Sequence, residues 1–141
     1  MKQIFMLVMM IAFSHQSLAA AFKTEAAALS AIETSMQKIS EGKLFDAINS
    51  LVEYTITPAI HTKGTIKKLV EGRKKYDSKF GESLGYELVK TQRIGNDVVK
   101  YLYLEKTKNH LLKWTYTIYN SNGNWKVLTY KWDDEINELF Q

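Results

Sequence analysis

The chain has 141 residues, one proline and no cysteine, and its 19 basic and 15 acidic side chains give a formal net charge of +4. This length fits one domain with one hydrophobic core. The lack of cysteine excludes a disulfide-stapled scaffold, so stability has to come from packing. The single proline gives no sign of a linker between two domains.

The first twenty residues have the pattern of a secretory signal peptide. Lys2 makes a short positive region, residues 4–13 are apolar, and small residues follow from Ser17 to Ala21. Such an order is typical of a cleaved signal, and the apolar run is short for a membrane span. We therefore predict a signal peptide over residues 1–20, a single mature domain over residues 21–141, and export to a periplasm or secretion. The alternative is an uncleaved membrane anchor.

Three helical patterns follow, over residues 24–42, 43–54 and about 64–80, with Pro58 between the second and the third. Each pattern has apolar residues at steps of three and four, which indicates one buried stripe per helix. A short C-terminal helix is predicted after Asp133, where it would shield Trp132. The residues of these stripes are Leu29, Ile32, Met36 and Ile39; Leu44, Ile48, Leu51 and Val52; Ile66, Leu69, Val70, Arg73 and Phe80; and Ile136, Leu139 and Phe140.

The stretch between the third and the terminal helix reads as four β-strands in series. The segments 84–93, 98–106, 110–120 and 124–132 are rich in β-branched and aromatic residues and are bounded by turn residues. Asn122-Gly123 suits a two-residue type I′ turn. Helices followed by an antiparallel meander indicate an α+β domain, with three N-terminal helices packed on one face of a curved four-stranded sheet.

Turn chemistry also predicts the register. Two-residue loops at Asn122-Gly123 and Lys108-Asn109 would pair Ile118 with Val127, Tyr116 with Thr129, Tyr103 with Trp114, and Tyr101 with Tyr116. Alternation along each strand then gathers one apolar face, which we call the inner face: Leu88, Ile94, Val99, Tyr101, Tyr103, Trp114, Tyr116, Ile118 and Val127.

The opposite face of the sheet would carry Leu128, Tyr130 and Trp132, diluted by polar residues that include Arg93. A monomer rarely leaves a large apolar patch in water. These three residues are therefore the candidate interface of a homodimer.

The end of the chain carries a family resemblance. The segments Trp114 to Tyr119, Asn120 to Val127 and Tyr130 to Asp134, followed by Leu139-Phe140, resemble the cone-shaped nuclear transport factor 2-like superfamily, above all its small exported bacterial members. The resemblance runs from about Leu29 to Phe140. It implies a sheet wrapped around long helices to leave a cavity, and homodimers through the outer sheet face. The superfamily contains enzymes and domains without known activity, so the likeness transfers shape and not reaction.

The candidate cavity residues are mostly aromatic side chains of the inner face: Tyr54, His61, Tyr101, Tyr103, Trp114 and Tyr116. As an enzyme, such a cone resembles ketosteroid isomerase, which needs a carboxylate base and proton donors in an apolar pocket. The inward acid candidates are Asp46 and Glu105, and neither forms a matched acid and base pair. His61 and His110 are far apart in the sequence, and the pattern indicates no metal site and no cofactor.

The third helix is rich in lysine, including Lys67, Lys68, Lys74 and Lys75. We interpret this as a solvated helix face, because nucleic acid is not an expected partner of an exported protein. The sequence therefore favours an exported non-catalytic domain that binds a small apolar ligand or a protein partner through the cavity. The competing hypothesis is an isomerase- or hydrolase-like enzyme that uses the same cavity.

Overall fold

The computed structural model describes residues 20–56 and 63–141. A four-stranded antiparallel sheet follows a group of helices, so the α+β class and the antiparallel sheet are confirmed. Residues 1–19 of the predicted signal peptide over residues 1–20 lie outside the described residues. His61, a predicted cavity residue, also lies outside them. The elements are α1 (Glu25–Ser40), α2 (Leu44–Asn49), α3 (Lys63–Lys74), α4 (Asp77–Phe80), β1 (Ser83–Ile94), β2 (Val98–Thr107), β3 (Leu111–Ser121) and β4 (Asn124–Asp133).

The helices are more broken than the sequence pattern predicted. The second predicted helix ends at Asn49 and is followed by a 3₁₀ helix at Val52–Tyr54. The hydroxyl of Ser50 donates to the carbonyl of Ala47 at 2.7 Å, a local bond that competes with helix continuation. The third predicted helix divides into α3 and α4, and the terminal helix is a 3₁₀ turn at Asn137–Phe140.

The sheet is the predicted meander, with strand order β1-β2-β3-β4. The type I′ turn is confirmed, since Asn122 and Gly123 have φ values of 53° and 80°. Three of the four predicted pairs are present: Ile118 with Val127, Tyr103 with Trp114, and Tyr101 with Tyr116. The fourth is wrong, because Tyr116 pairs with Tyr130 and not with Thr129.

Two β-bulges cause the differences in register. Leu128 is the extra residue between the pairs Ile118–Val127 and Thr117–Thr129, and Val89 is the extra residue between Leu88 and Lys90 in β1. One inserted residue turns every later side chain of that strand to the other face. The inner face therefore consists of four cross-strand rows. These are Arg93, Val99, Ile118 and Val127; Thr91, Tyr101, Tyr116 and Tyr130; Leu88, Tyr103, Trp114 and Trp132; and Tyr86, Glu105 and Leu112.

These rows correct two face assignments. Ile94, predicted on the inner face, pairs with Val98 on the outer face and is 75% exposed, whereas Arg93 turns inward. Tyr130 and Trp132 were predicted on the outer face beside Leu128, but both pack against the inner-face core, and Leu128 alone of the three is exposed. The three residues therefore do not form one surface. The homodimer stays a prediction, and Leu128 is the one candidate interface residue of the three that lies on the outer face.

The main core lies between α1 and the inner face. Ile32, Met36 and Ile39 of α1, together with Leu51 after α2, pack against the tyrosines and Trp114 of the sheet. A second, smaller cluster joins Ile48 to Ile66 and Val70 of α3. Most residues of the three predicted stripes are therefore buried or half-buried, but Leu69 is 43% exposed. Helix α3 packs mainly on α2 and leaves one end of the inner face open.

The C-terminal segment covers part of the outer face. The ammonium of Lys113, whose side chain is 2% exposed, contacts the carboxylates of Glu138 at 2.8 Å and Asp133 at 3.2 Å. It also donates to the carbonyl of Glu135 at 3.0 Å. The predicted shielding of Trp132 by this segment is wrong, because Trp132 lies on the inner face, where its ring lies edge-on to Phe80 at 6.2 Å.

Among the residues that the structure describes, no helix combines the length and the apolar character needed to cross a membrane.

Candidate functional site

The tyrosines predicted to line a cavity form the closed part of the core. The hydroxyl of Tyr101 donates to Glu25 at 2.9 Å, and the hydroxyl of Tyr103 donates to Glu33 at 2.7 Å. The hydroxyl of Tyr116 donates to the sulfur of Met36 at 3.4 Å. All three rings are almost fully buried against α1. Helix α1 therefore occupies the space in which the sequence predicted a ligand.

Burial changes the acid–base properties of these groups. Burial raises the pKa of Tyr101, Tyr103 and Tyr116 well above the usual tyrosine value, and the neighbouring carboxylates raise it further for Tyr101 and Tyr103. The guanidinium of Arg93 donates to both oxygens of Glu25 and lowers the pKa of that carboxyl. The tyrosines thus remain protonated donors that connect the sheet to α1.

A cavity of about 530 Å³ opens at the other end of the inner face, beside the row of Glu105. Its walls come from the end of α1, the start of α2, the C-terminal half of α3, the start of α4 and the start of β1. Trp114 and Glu105 of the sheet also line it. Its volume lies in the range of small-molecule sites. The apolar lining side chains are Ile39, Leu44, Phe45, Val70 and Trp114.

A buried charged pair lies at the inner end of this cavity. Glu105 and Arg73 have side chains only 2% and 9% exposed, and Nη2 of Arg73 lies 3.7 Å from Oε2 of Glu105. That carboxylate also accepts from Nε1 of Trp114 at 2.8 Å, and Arg73 donates to Asp77 at 2.7 Å. Burial of a charge is costly unless it is paired, so these contacts hold the pair in place.

Two aromatic rings at a steep angle to each other lie beside the guanidinium of Arg73. Its Cζ lies 5.0 Å from the ring centre of Phe80 and 5.5 Å from that of Trp132. Both distances are within the range of cation–π attraction. The two carboxylates and the two rings together therefore hold the guanidinium of Arg73 in one orientation.

Two buried polar atoms of cavity-lining residues have no hydrogen-bond partner among the described residues. They are Nε of Arg73 and Oγ of Ser83, and both residues line the cavity. A buried donor that stays unsatisfied costs about 1 to 3 kcal/mol. Native structures keep few such groups, and each calls for an explanation.

The charges of the lining are unequal. It contains five acidic side chains and three basic ones, so the cavity is negative on balance: Glu41, Asp46, Asp77, Glu82 and Glu105 against Lys43, Arg73 and Lys74. At the exposed rim, the ammonium of Lys43 donates to Glu41 at 2.8 Å. This bond lowers the pKa of the Glu41 carboxyl and raises that of Lys43.

The remaining predicted residues lie away from the cavity. Tyr54 stacks on Phe22 with ring centres 4.1 Å apart, at the far end of the core. His110 stacks on Phe80 and contacts the carboxylate of Asp134 at 3.3 Å. That contact lowers the pKa of Asp134. Over residues 20–56 and 63–141, no group of three or more His, Cys, Asp or Glu residues could hold a metal ion.

The structure thus brings one predicted cavity residue, Trp114, to the cavity and adds others that the sequence reading did not select. Glu105 was named as an inward acid, and the structure places it at the inner end of the cavity. Arg73 and Ser83 were missed as site residues. One signal was available for Arg73: it interrupts an apolar helix stripe and stands four residues before Asp77. No comparable signal marks Ser83.

Comparison with known proteins gives no relative: no family model, no curated protein and no solved structure matches the chain.

Proposed function

We propose that this protein is a non-catalytic binding domain that takes a small, largely apolar ligand in the cavity beside Glu105. The observation that carries the proposal is the cavity of about 530 Å³, which has five apolar side chains in its lining and a buried Arg73–Glu105 pair at its inner end. Concave sites with apolar walls and a few oriented polar groups are the usual form of small-molecule sites. A filled core under the tyrosines leaves this cavity as the better place for a ligand than the centre of the sheet.

The binding proposal can be tested with N-phenylnaphthylamine, a neutral apolar dye that fluoresces when it leaves water. Leu44 lines the cavity and is half-buried, so Leu44→Trp adds volume inside it. Leu128→Trp adds the same ring at an exposed outer-face position and is the matched control. We expect the wild type and Leu128→Trp to enhance the dye fluorescence and Leu44→Trp to lose most of the enhancement. Equal enhancement in all three proteins would refute binding in this cavity.

The competing function is an isomerase- or hydrolase-like enzyme, and Glu105 is the observation that favours it. A buried carboxylate at the inner end of a cavity is a candidate general base. Its Oε2 already accepts from the indole N–H of Trp114 and faces the guanidinium of Arg73, however, which leaves this oxygen less free to contact a substrate. Turnover of p-nitrophenyl octanoate that disappears in Glu105→Gln would favour the hydrolase, and no turnover is expected.

The nuclear transport factor 2-like resemblance and export stay parts of the proposal. The order of helices followed by an antiparallel meander supports the resemblance. The signal pattern of residues 1–20 supports export to a periplasm or secretion, with no lasting membrane anchor. Mass spectrometry of the protein recovered from the periplasm or medium of an expressing bacterium tests this directly. A mature chain that begins near Ala21 is expected, and an intact Met1 or Lys2 would contradict cleavage.

A further inference from the structure

We propose that the exposed side of α3 docks reversibly on a membrane surface that contains anionic lipid headgroups. The docking surface, which we call the basic face, consists of Lys68, Lys75, Leu69 and Tyr76, and all four side chains are exposed. None of these residues lines the cavity, so the proposal is independent of the proposed function.

Positive charge is concentrated in this part of the chain. Helices α3 and α4 and the turn between them contain seven basic and two acidic side chains, whereas the whole chain has a formal net charge of only +4. Both acids are already paired, Glu71 with a lysine ammonium at 3.9 Å and Asp77 with the guanidinium of Arg73 at 2.7 Å. Neither Lys68 nor Lys75 forms an ion pair with a carboxylate of the described residues, so both charges are available to an anionic partner.

Two large apolar side chains lie beside these lysines. Leu69 is 43% exposed and Tyr76 is 45% exposed, although the sequence predicted Leu69 in a buried stripe. Helix α3 instead packs inward through the smaller core cluster. The charge alone would fit a solvated helix face, as the sequence analysis concluded, but the exposed apolar pair indicates a partner with an apolar part.

Helix geometry places the lysines and the apolar pair on one face. Lys68 lies two turns before Lys75, and Leu69 lies two turns before Tyr76. Helical hydrogen bonding continues past the end of α3, since the N–H of Lys75 donates to the carbonyl four residues before it at 3.4 Å. Gly72 lies between the two pairs, and a Cβ added there would meet nothing within 4 Å beyond its chain neighbours and its own helix backbone. The centre of the face is therefore open to a partner.

This combination fits a membrane surface better than nucleic acid. Lysine clusters on an amphipathic helix are attracted to anionic lipid, and leucine and tyrosine side chains insert at the headgroup level. Duplex nucleic acid would meet the lysines with its phosphates and leave Leu69 without an apolar contact. Since the face has few apolar side chains, docking depends on charge and is weakened by salt.

Flotation of the purified protein with vesicles tests the proposal. We expect binding to vesicles of equal parts phosphatidylcholine and phosphatidylglycerol, no binding to vesicles of phosphatidylcholine alone, and release of the bound protein by high salt. A failure to bind the mixed vesicles overturns the proposal, and so does equal binding to both kinds of vesicle.

A matched pair of variants at Gly72 tests whether the basic face makes the contact. Gly72→Glu places a carboxylate between the lysines, whereas Gly72→Gln adds a neutral side chain of nearly the same size. Both should fold, because the position is open and glycine is the poorer helix former. We expect Gly72→Glu to bind the mixed vesicles about fivefold more weakly than Gly72→Gln. Equal binding by the two variants, with folding checked by circular dichroism, would contradict docking through this face.

A second pair separates a membrane from other anionic partners. Leu69→Ala removes an apolar side chain from the basic face, and Leu128→Ala removes one of similar exposure, 45%, from the outer sheet face. Leu69→Ala should weaken binding to the mixed vesicles several-fold, and Leu128→Ala should leave it unchanged. Binding that falls in Gly72→Glu but not in Leu69→Ala would indicate a surface for nucleic acid or an acidic protein and overturn the assignment to a membrane.

Discussion

The two ends of the inner face differ in how completely their polar groups are paired. At the closed end, around Tyr101 and Tyr103, the aromatic hydroxyls bond to the glutamates of α1. At the open end, beside Glu105, a cavity remains and two buried polar atoms have no partner among the described residues. Most of the aromatic residues predicted from the sequence to line a cavity thus form the packed core, whereas the candidate site lies where the helices no longer cover the sheet.

The largest expected loss of stability comes from a substitution in the core at the closed end. Trp125 is 8% exposed in the main core, and its backbone pairs with that of Phe22 through two 2.9 Å hydrogen bonds. Trp125→Ala should lower the free energy of unfolding by about 3 to 5 kcal/mol, because it leaves a cavity in packed surroundings. Phe45→Ala at the cavity rim, where the ring is 37% exposed, should cost less than about 1 kcal/mol. Urea denaturation measures both, and equal losses would contradict the difference between the ends.

A matched pair of hydroxyl deletions sharpens the comparison. Tyr103→Phe loses a hydrogen bond to a carboxylate at the closed end and should cost about 1 kcal/mol. Ser83→Ala loses no hydrogen bond within the described residues and should change stability by no more than about 0.5 kcal/mol. Thermal unfolding measures the two changes side by side. A larger loss in Ser83→Ala would show that its hydroxyl has a partner in the folded protein.

Acid should weaken the closed end first. The pKa of Glu25 is lowered from its usual value of 4.5, mainly by the hydrogen bonds from Arg93. A lowered carboxyl pKa gives stability that is present above pH 4.5 and is lost as the pH falls below it. The effect is small, because Arg93 is half-exposed. Glu25→Gln should flatten the fall in melting temperature between neutral and acidic pH, whereas Glu53→Gln, at an exposed acid, should not.

The smallest expected effect is a change in tyrosine absorbance at alkaline pH. The raised pKa values of Tyr101, Tyr103 and Tyr116 mean that the folded protein keeps these protons, so their contribution is present below pH 10.0 and is lost as the pH rises above it. Tyrosinate absorbance should therefore rise in two stages on alkaline titration, the later one together with unfolding as seen by circular dichroism. Complete ionisation of the tyrosines before unfolding would contradict a closed end.

The sequence predicted the parts of the fold that local chemistry determines. Asn122-Gly123 fixed one hairpin and Lys108-Asn109 another, which gave the correct pairing of Tyr101 with Tyr116. The bulges at Val89 and Leu128 have no such local signature. The bulge at Leu128 alone moved Tyr130 and Trp132 to the inner face, so a correct strand prediction still gave a wrong candidate interface.

The candidate site was harder to predict, because its parts come from separate elements. Glu105 is on β2, Arg73 on α3 and Ser83 at the start of β1, and the breaks between α2, α3 and α4 bring them together. Periodicity marked Arg73 as part of a buried stripe, but it could not indicate which carboxylate the guanidinium would meet.

The most direct test follows the three tryptophan indole N–H resonances by NMR during a titration with N-phenylnaphthylamine. Trp114 lines the cavity and donates to Glu105, whereas Trp125 lies at the closed end. We predict a saturable shift of the Trp114 resonance with the Trp125 resonance unchanged. A shift confined to Trp125, or no saturable shift of Trp114, would contradict ligand binding at the open end.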